Sequence, residues 1–244
     1  MRCKRSRVSS RGSSHSASLD ETSCGEGATP FVVIIDVVEE PLTSLSDYAA
    51  VPIAFDVTEV LALDPVRPSV TWADIAVRRL AVPFRKDYDA IAGNHPVNWP
   101  PLALFGAYVD GVRVGGAAWR IVASPGPDTA PVANDAELWD LRVVPTCRGM
   151  GIGSALLRIV ERAARASGAT VLHVETQDIN VPACRFYAAR GFVLASVNRG
   201  AYPELPTETQ LVWVKSLLRG ADPLFYSINQ RAIASSSLTG ATGA

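Results

Sequence analysis

The sequence has few cysteines and no apolar segment long enough to cross a membrane. The four cysteines have neither the spacing of a metal site nor a secretory context, so we expect reduced thiols, no disulfides and no bound metal. These residues are Cys3, Cys24, Cys147 and Cys184. Apolar runs such as 31–38 and 102–109 are far shorter than the roughly 20 residues of a transmembrane helix. The sequence therefore predicts a soluble, cytoplasmic protein without membrane contact.

An excess of either charge is also absent. Lys and Arg total 23 against 24 Asp and Glu, which gives a formal net charge of −1. Such a balance creates no strong field that would attract nucleic acid, so a small or locally charged substrate is the better expectation. Because 48% of the 244 residues are hydrophobic, the chain can bury one core, and we expect one globular domain.

The two ends of the chain contain little that a folded domain would bury. Residues 1–30 are rich in Ser and Arg and have no acidic residue before Asp20, which predicts a disordered tail. An organelle transit peptide or a misplaced start codon stays open for this stretch. Residues 219–244 drift into Ser, Thr, Gly and Ala and predict a flexible C-terminal tail. The folded domain is thus predicted to span residues 31–218.

Between the tails, strand and helix patterns alternate. A hairpin is predicted at 102–123, because Asp110 and Gly111 tolerate the positive φ of a two-residue turn. A strand at 137–144 leads into a glycine-rich loop and a helix with apolar residues at helical spacing. A second helix is predicted from Asn180, as N-cap, to Arg190. Further strands are predicted at 31–38, 53–63, 171–175, 192–197 and 210–214.

The loop after the 137–144 strand has the composition of a phosphate-binding turn. Free N–H groups and a partial positive charge collect at a helix N-terminus, and glycines let an anion approach the backbone. Arg148 precedes the loop as a fixed cation suited to a diphosphate. A tight turn without ligand and a dinucleotide loop, with Ser154 at the third glycine position, are alternative interpretations. The antiparallel hairpin disfavours the dinucleotide fold, which repeats parallel units.

Two motifs identify a family resemblance. The loop Arg148-Gly149-Met150-Gly151-Ile152-Gly153 resembles the R/Q-x-x-G-x-G/A signature of the GNAT family of N-acetyltransferases. The segment 180–192 resembles that family's N-x-x-A-x-x-x-Y-x-x-x-G-F helix, with Tyr187 at the tyrosine position. The resemblance covers about 102–215 and implies an α/β GNAT fold: a mixed sheet of about six to seven strands with flanking helices and two splayed parallel strands. Residues 175–180 are similar to streptothricin acetyltransferases.

The resemblance implies acetyl-coenzyme A as cosubstrate and direct transfer of its acetyl group to a primary amine, with no metal. Tyr187 stands at the family's general-acid position, where it would protonate the departing thiolate; a core tyrosine is the alternative. Asn180 is expected to cap its helix and to contact the coenzyme. The residues that the resemblance places around the coenzyme are Leu141, Arg142, Val143, Arg148, Gly149, Met150, Gly151, Ile152, Gly153, Ser154 and Asn180.

Two acids on the 137–144 strand are candidates for the general base that deprotonates the amine. Glu137 aligns with the base of histone-type members of the family, and Asp140 aligns with an acid of streptothricin-type members. Strand alternation puts the two on opposite faces unless a bulge intervenes, so only one is expected to face the cleft. A solvated strand end, or for Asp140 an ion pair with Arg142, is the alternative.

The predicted function is an N-acetyltransferase that acts on a small-molecule amine, streptothricin-like or otherwise cationic. A catalytically silent coenzyme A-binding sensor and a protein amine acetyltransferase are the alternatives. A cysteine nucleophile is disfavoured, because no histidine is recognisably placed to activate Cys147 or Cys184. A homodimer also stays open, because many members of the family dimerise.

Overall fold

The computed structural model describes residues 34–63, 71–91, 96, 103–123 and 134–218. The predicted tails, 1–30 and 219–244, lie outside these residues. Within the described ranges, no helix has the length and apolar character needed to span a membrane.

Nine strands and three α-helices occur in the described part of the chain. In order they are β1 (Asp36–Glu40), α1 (Leu45–Ala49), β2 (Phe55–Ala62), β3 (Ala76–Lys86), β4 (Ala103–Val109), β5 (Val112–Ala123), β6 (Asn134–Val143), α2 (Ile152–Ala166), β7 (Val171–Gln177), α3 (Val181–Ala188), β8 (Val193–Arg199) and β9 (Thr209–Ser216).

Seven of the strands form one mixed sheet, in the order β1-β4-β5-β6-β7-β9-β8, and β2 and β3 form a separate two-stranded sheet. Every neighbouring pair in the large sheet is antiparallel except β6 and β7. The predicted mixed sheet of six to seven strands with one parallel pair is confirmed.

The parallel pair is joined along only part of its length. Residues 136–138 of β6 pair with 172–174 of β7, whereas neither β6 from Trp139 onward nor β7 from Glu175 onward pairs with the other strand. Because β5 stays paired with β6 as far as Val143, the gap opens only on the β7 side. The sheet therefore contains a wedge-shaped opening at the carboxyl ends of its two central strands.

The long helix α2 covers one face of this sheet. Its apolar residues recur at helical spacing and are buried; they are Ile152, Ala155, Leu156, Leu157, Val160 and Ala164. The helix ends where predicted, since Gly168 has φ +83° just beyond it. The same core includes Leu138 and Leu172 from the parallel strands. Helix α2 is thereby packed with its first turn at the opening between β6 and β7.

Two elements were not predicted. The strand β3 is exposed along nearly its whole length, so its sequence has no alternation of buried and exposed residues. The helix α1 has five residues, of which only Tyr48 is buried, so its sequence has no amphipathic period. The first predicted strand, 31–38, also differs, because residues 34 and 35 are not in a strand and β1 spans Asp36–Glu40; residues 31–33 lie outside the described ranges. These differences lie in the part of the chain that the family resemblance does not cover.

Candidate active site

A cavity of about 910 Å³ fills the opening between β6 and β7. It is lined by β6 and β7, the glycine loop, the start of α2 and one side of α3, and also by residues of β2 and of the segment after β3. Of the predicted site residues, only Met150 is absent from the lining, and its side chain is exposed. The structure thus brings together two motifs that lie about 30 residues apart in the sequence.

The glycine loop leaves backbone N–H groups directed at this cavity. Gly149 and Gly151 have φ of +80° and +87°, a conformation that disfavours residues with a Cβ. The first backbone bond of α2 runs from the N–H of Ala155 to the carbonyl of Gly151. The amides of residues 152–154 precede that bond, so they have no partner within the helix. These amides form the partially positive N-terminus of α2, which favours binding of a phosphate.

Gly153 is required for a different reason. A Cβ at this position would lie 3.2 Å from the ring of Phe186 on α3 and 3.6 Å from the side chain of Leu141 on β6. The absence of a side chain therefore lets α2, α3 and β6 converge at one point of the cavity.

Arg148 holds the loop in place. Its Nε donates to the carbonyl of Val143 at 3.1 Å, and its Nη2 donates to the carbonyl of Ala54 at 3.1 Å. Partial burial lowers the pKa of this guanidinium, with Arg85 acting in the same direction. The cation that was predicted to face a diphosphate thus uses two of its donor groups to tie the end of β6 to the segment before β2.

The backbone of β6 faces the gap with groups that β7 does not pair, and of these the carbonyl of Val143 accepts from Arg148. Val144 donates to the carbonyl of Val114 at 2.9 Å, so its backbone faces β5, and Arg142 faces β5 as well because alternate residues of an antiparallel ladder do so. The N–H and C=O groups of Leu141 and Val143 therefore face β7, where the strands have separated. These are the residues expected to pair with the pantetheine arm.

The strand β6 contains a β-bulge. Ala118 lies opposite Asp140 and Trp119 lies opposite Leu138, so Trp139 is an additional residue on β6. A bulge shifts the alternation of side chains by one position, so the faces assigned from a regular strand do not apply beyond it.

As a consequence, both candidate bases lie on the same face. Glu137 is opposite Arg120 and Asp140 is opposite Ala118. Since these two partners are two residues apart on β5, they share a face, and the two acids opposite them do too. The expectation that only one acid faces the cleft is wrong, because both Glu137 and Asp140 line the cavity.

Glu137 lies in a partly solvated part of the cavity. Its Oε2 accepts from Nε of Arg120 at 2.8 Å, and the side chains of both residues are about one third exposed, at 32% and 33%. Arg120 also stacks on Trp139, with its Cζ 4.4 Å from the ring centroid. Trp139, the additional residue of the bulge, thus positions Arg120, and Arg120 binds Glu137.

Asp140 belongs to a buried ionic network. Its Oδ2 accepts from Nε of Arg142 and, at 3.0 Å, from the hydroxyl of Tyr48. Arg142 in turn makes two hydrogen bonds to Asp89 and a longer one to the carbonyl of Val51. Burial raises the pKa of Asp140, although Arg142 and Tyr48 oppose that change. The ion pair with Arg142 that the alternative interpretation of Asp140 expects is present in the structure.

Tyr187 stands on α3 with its ring between two other aromatic rings. Phe186 and Phe192 contact it edge to face at centroid distances of 5.1 and 5.3 Å. The residue lines the cavity, and within the described ranges its hydroxyl has no hydrogen-bond partner. Burial is the main cause that raises its pKa, with the charges of Asp140 and Cys184 contributing. The phenol is therefore a neutral donor that is free to bond a ligand.

Asn180 caps α3 as predicted, since its Oδ1 accepts from the N–H of Ala183 at 3.3 Å. Its side chain also lines the cavity.

Several lining residues were not singled out from the sequence. Asp89 and Tyr88 follow β3, and Tyr88 donates to the buried carboxylate of Glu208 at 2.6 Å. Arg190 immediately precedes Gly191 in the second motif. Tyr88 and Asp89 lie outside the recognisable motifs, so no local signal was available for them. Arg190 lies inside a motif, but at a position the motif leaves unspecified.

Comparison with known proteins finds relatives across the region that contains both motifs. A model described as the acetyltransferase (GNAT) family matches residues 72–192. A streptothricin acetyltransferase of Escherichia coli is 28% identical over 142 residues, which are 55% of this chain and 72% of that protein. Streptothricin acetyltransferase A of Bacillus subtilis is 36% identical over 72 residues, which are 30% of this chain and 42% of that protein.

Solved structures share the fold. A protein from Bacillus anthracis described as a streptothricin acetyltransferase, in complex with acetyl coenzyme A, superposes with a TM-score of 0.58 at 22% identity, over 75% of this chain and 99% of that one. A nourseothricin acetyltransferase superposes with a TM-score of 0.57 at 21% identity, with the same coverage. At these identities the superpositions establish the architecture of the domain.

Proposed function

The chain belongs to the acetyltransferase (GNAT) family, and on that premise we propose that it transfers the acetyl group of acetyl-coenzyme A to a primary amine of a cationic, streptothricin-like small molecule. One observation carries the proposal. The glycine loop, the β6 backbone at Leu141 and Val143 that β7 leaves unpaired and the hydroxyl of Tyr187 all border one cavity of about 910 Å³ at the opening of the sheet.

The residues of this cavity fit coenzyme A. The polarised amides of residues 152–154 suit its diphosphate, and the backbone groups of Leu141 together with the N–H of Val143 suit the amides of its pantetheine arm. Acetyl-coenzyme A supplies an acetyl group that is already activated as a thioester. The N–H of Leu141 or Val143 is placed to donate to a carbonyl oxygen in the gap, where a fixed dipole favours developing negative charge.

Tyr187 is proposed as the general acid. Its hydroxyl has no competing partner among the described residues, and its raised pKa keeps it protonated at neutral pH. A positioned donor of this kind can give its proton to a thiolate as the thiolate leaves.

Glu137 is proposed as the general base that removes a proton from the acceptor amine. Only its Oε2 is bound to Arg120 in the structure, and the side chain is in contact with solvent, to which a proton can be passed. Asp140 is the second candidate, but a proton on Asp140 would weaken its ion pair with the buried Arg142.

The charge of the cavity supports a cationic acceptor. The acids in its lining are Asp56, Asp89, Glu137, Asp140 and Glu175. Four of them pair with arginines within the described chain, namely Asp56, Asp89, Glu137 and Asp140, whereas Glu175 accepts from the neutral side chains of Tyr202 and Gln210. Glu175 is therefore the acid of the lining that has no cationic partner among the described residues. The proteins of known activity that resemble this chain are named for a cationic antibiotic, which supports the same class.

The domain proposed to carry this activity comprises residues 31–218. We also propose that it works in the cytoplasm, which agrees with its free, buried cysteines Cys147 and Cys184.

The test is a thiol-release assay with acetyl-coenzyme A and a set of amines: streptothricin, an aminoglycoside, a polyamine, an amino acid and a peptide with a free N-terminus. Calorimetric titration with acetyl-coenzyme A comes first. Binding followed by release of coenzyme A with streptothricin supports the proposal. Binding without release on any amine would instead indicate a coenzyme sensor, and release only with the peptide would indicate a protein acetyltransferase. Absence of binding would refute the function.

A further inference from the structure

Arg190 lies against the first turn of α2, and it lines the same cavity as Arg148. Its Nε donates to Oγ of Ser154 at 3.1 Å, its Nη2 also donates to that oxygen, and its Nη1 donates to the carbonyl of Phe186 at 3.0 Å. The Cζ atom is 3.7 Å from the centroid of the Phe186 ring. The guanidinium is thus held by four contacts, and it lines the cavity.

No negative charge within the described ranges compensates this guanidinium. Its pKa is lowered by burial and by the neighbouring Arg158; Tyr187 is the group that acts in the opposite direction, and no carboxylate does. The first turn of α2, which its partner Ser154 belongs to, contains no acidic residue, although an acid there would be favoured by the helix dipole. The positive charge of Arg190 and the partial positive charge at the N-terminus of α2 therefore lie together, and no described carboxylate balances them.

Arg190 and Ser154 retain hydrogen-bond donors that a ligand can use. A guanidinium has five N–H donors, and three are used in the contacts to Ser154 and Phe186. Ser154 accepts through its oxygen in this pair, so its own O–H is free to donate to another acceptor. Two N–H groups of Arg190 and one O–H of Ser154 can therefore meet an anion that also meets the amides of residues 152–154.

We infer that Arg190 is a phosphate-binding residue of the coenzyme site, which donates directly to a phosphate oxygen and orients the hydroxyl of Ser154 toward the same anion. The inference rests on the proposed function and adds a residue that the glycine motif does not contain. Coenzyme A carries a diphosphate and a 3′-phosphate. Either group can accept hydrogen bonds from Arg190, and the experiment distinguishes the diphosphate from the 3′-phosphate.

The test compares the affinity of acetyl-coenzyme A for the wild-type protein and for Arg190→Gln. Loss of a charge-assisted contact should weaken binding by about 10- to 100-fold, and added salt should reduce the difference. Arg162→Gln is the matched control, because Arg162 is an exposed arginine further along α2, outside the cavity lining. It should bind as the wild type does. Arg190→Lys keeps the charge without the planar fork and should recover part of the affinity.

Shortened acetyl donors identify the phosphate. S-acetyl-pantetheine has no phosphate, so Arg190→Gln should use it with the wild-type kcat/KM. Acetyl-dephospho-coenzyme A lacks only the 3′-phosphate. If the effect of the substitution persists with this donor, Arg190 binds the diphosphate, and if the effect disappears, Arg190 binds the 3′-phosphate.

Two results would overturn the inference. One is unchanged affinity of Arg190→Gln for acetyl-coenzyme A at low salt. The other is an equal loss of kcat/KM with S-acetyl-pantetheine, which would mean that Arg190 only maintains the packing of α2 and α3. Failure of the wild-type protein to bind acetyl-coenzyme A would refute the proposed function itself, so the two kinds of failure are distinguishable.

Discussion

Arg142 and Asp89 form a bidentate ion pair, with Nη1 to Oδ2 at 2.7 Å and Nη2 to Oδ1 at 2.8 Å. The arginine is on β6 and its side chain is 1% exposed, whereas the aspartate follows β3 in the small sheet. In consequence, the segment after β3 and the strand β6, which both line the cavity, are held together.

Replacement of Arg142 by Met should strongly destabilise the protein. The substitution leaves Asp89 and Asp140 without their shared cation, and removal of one partner of a buried pair costs about 3–5 kcal/mol. Urea unfolding measures the change in the free energy of unfolding. Arg120→Met is the control, because its pair with Glu137 is about one third exposed and such pairs contribute only about 0–1 kcal/mol. Equal losses for the two variants would contradict the role of the buried network.

Replacement of Tyr187 by Phe should lower kcat and leave coenzyme affinity nearly unchanged. Loss of a general acid typically costs about 10²- to 10⁴-fold in rate. Steady-state kinetics and calorimetric titration separate the two quantities. Tyr108→Phe is the matched control, because Tyr108 on β4 donates to Glu40 on β1 outside the cavity lining, so this variant should keep wild-type activity.

The pH dependence of kcat follows from the same residue. Burial, then the charges of Asp140 and Cys184, raise the pKa of Tyr187 above its ordinary value of roughly 10. The protonated phenol is the active form of an acid, so a raised pKa extends its active range to higher pH. Below pH of about 10, kcat should therefore show no decline from ionisation of a tyrosine. A decline in kcat at lower pH that Tyr187→Phe abolishes would count against this assignment.

The two acids of β6 should respond differently to neutralisation. Glu137→Gln should lower kcat at neutral pH by about 10²- to 10⁴-fold and should recover rate as pH rises, because more of the amine is then already deprotonated. Asp140→Asn should mainly lower the stability, because it removes a carboxylate from the buried Arg142. A pH profile of kcat and a urea unfolding curve for each variant provide the comparison. The reverse pattern would make Asp140 the base.

Cys184 should be unreactive and dispensable for catalysis. Burial raises the pKa of its thiol to about 12, and its Sγ is 3.4 Å from the hydroxyl of Thr176 in the core. The thiolate is therefore nearly absent at pH 8, and thiolate is the reactive form. Iodoacetamide should leave Cys184 unmodified in the native protein, as detected by peptide mass spectrometry, and Cys184→Ala should keep kcat. Rapid alkylation with loss of activity would reopen a covalent mechanism.

Features that depend on a few consecutive residues were predicted well. The hairpin turn has φ of +50° at Asp110 and +73° at Gly111, as a two-residue turn demands. The cap of α3 by Asn180 is local in the same sense. The small sheet and α1 were missed, since β3 is exposed on both faces and α1 is too short to show a period.

The sequence by itself determined the glycine loop and the tyrosine helix, because positive φ, capping and helical spacing are set within one or two turns of chain. Only the tertiary structure decided which other residues those motifs contact. The bulge at Trp139 brings Glu137 and Asp140 to one face, and a bulge arises from pairing with β5 rather than from the residues of β6 alone. Arg142 finds its partner 53 positions away, and Arg190 finds Ser154 36 positions away. Pairing between such distant charges depends on how the elements pack, which no local pattern in the chain encodes.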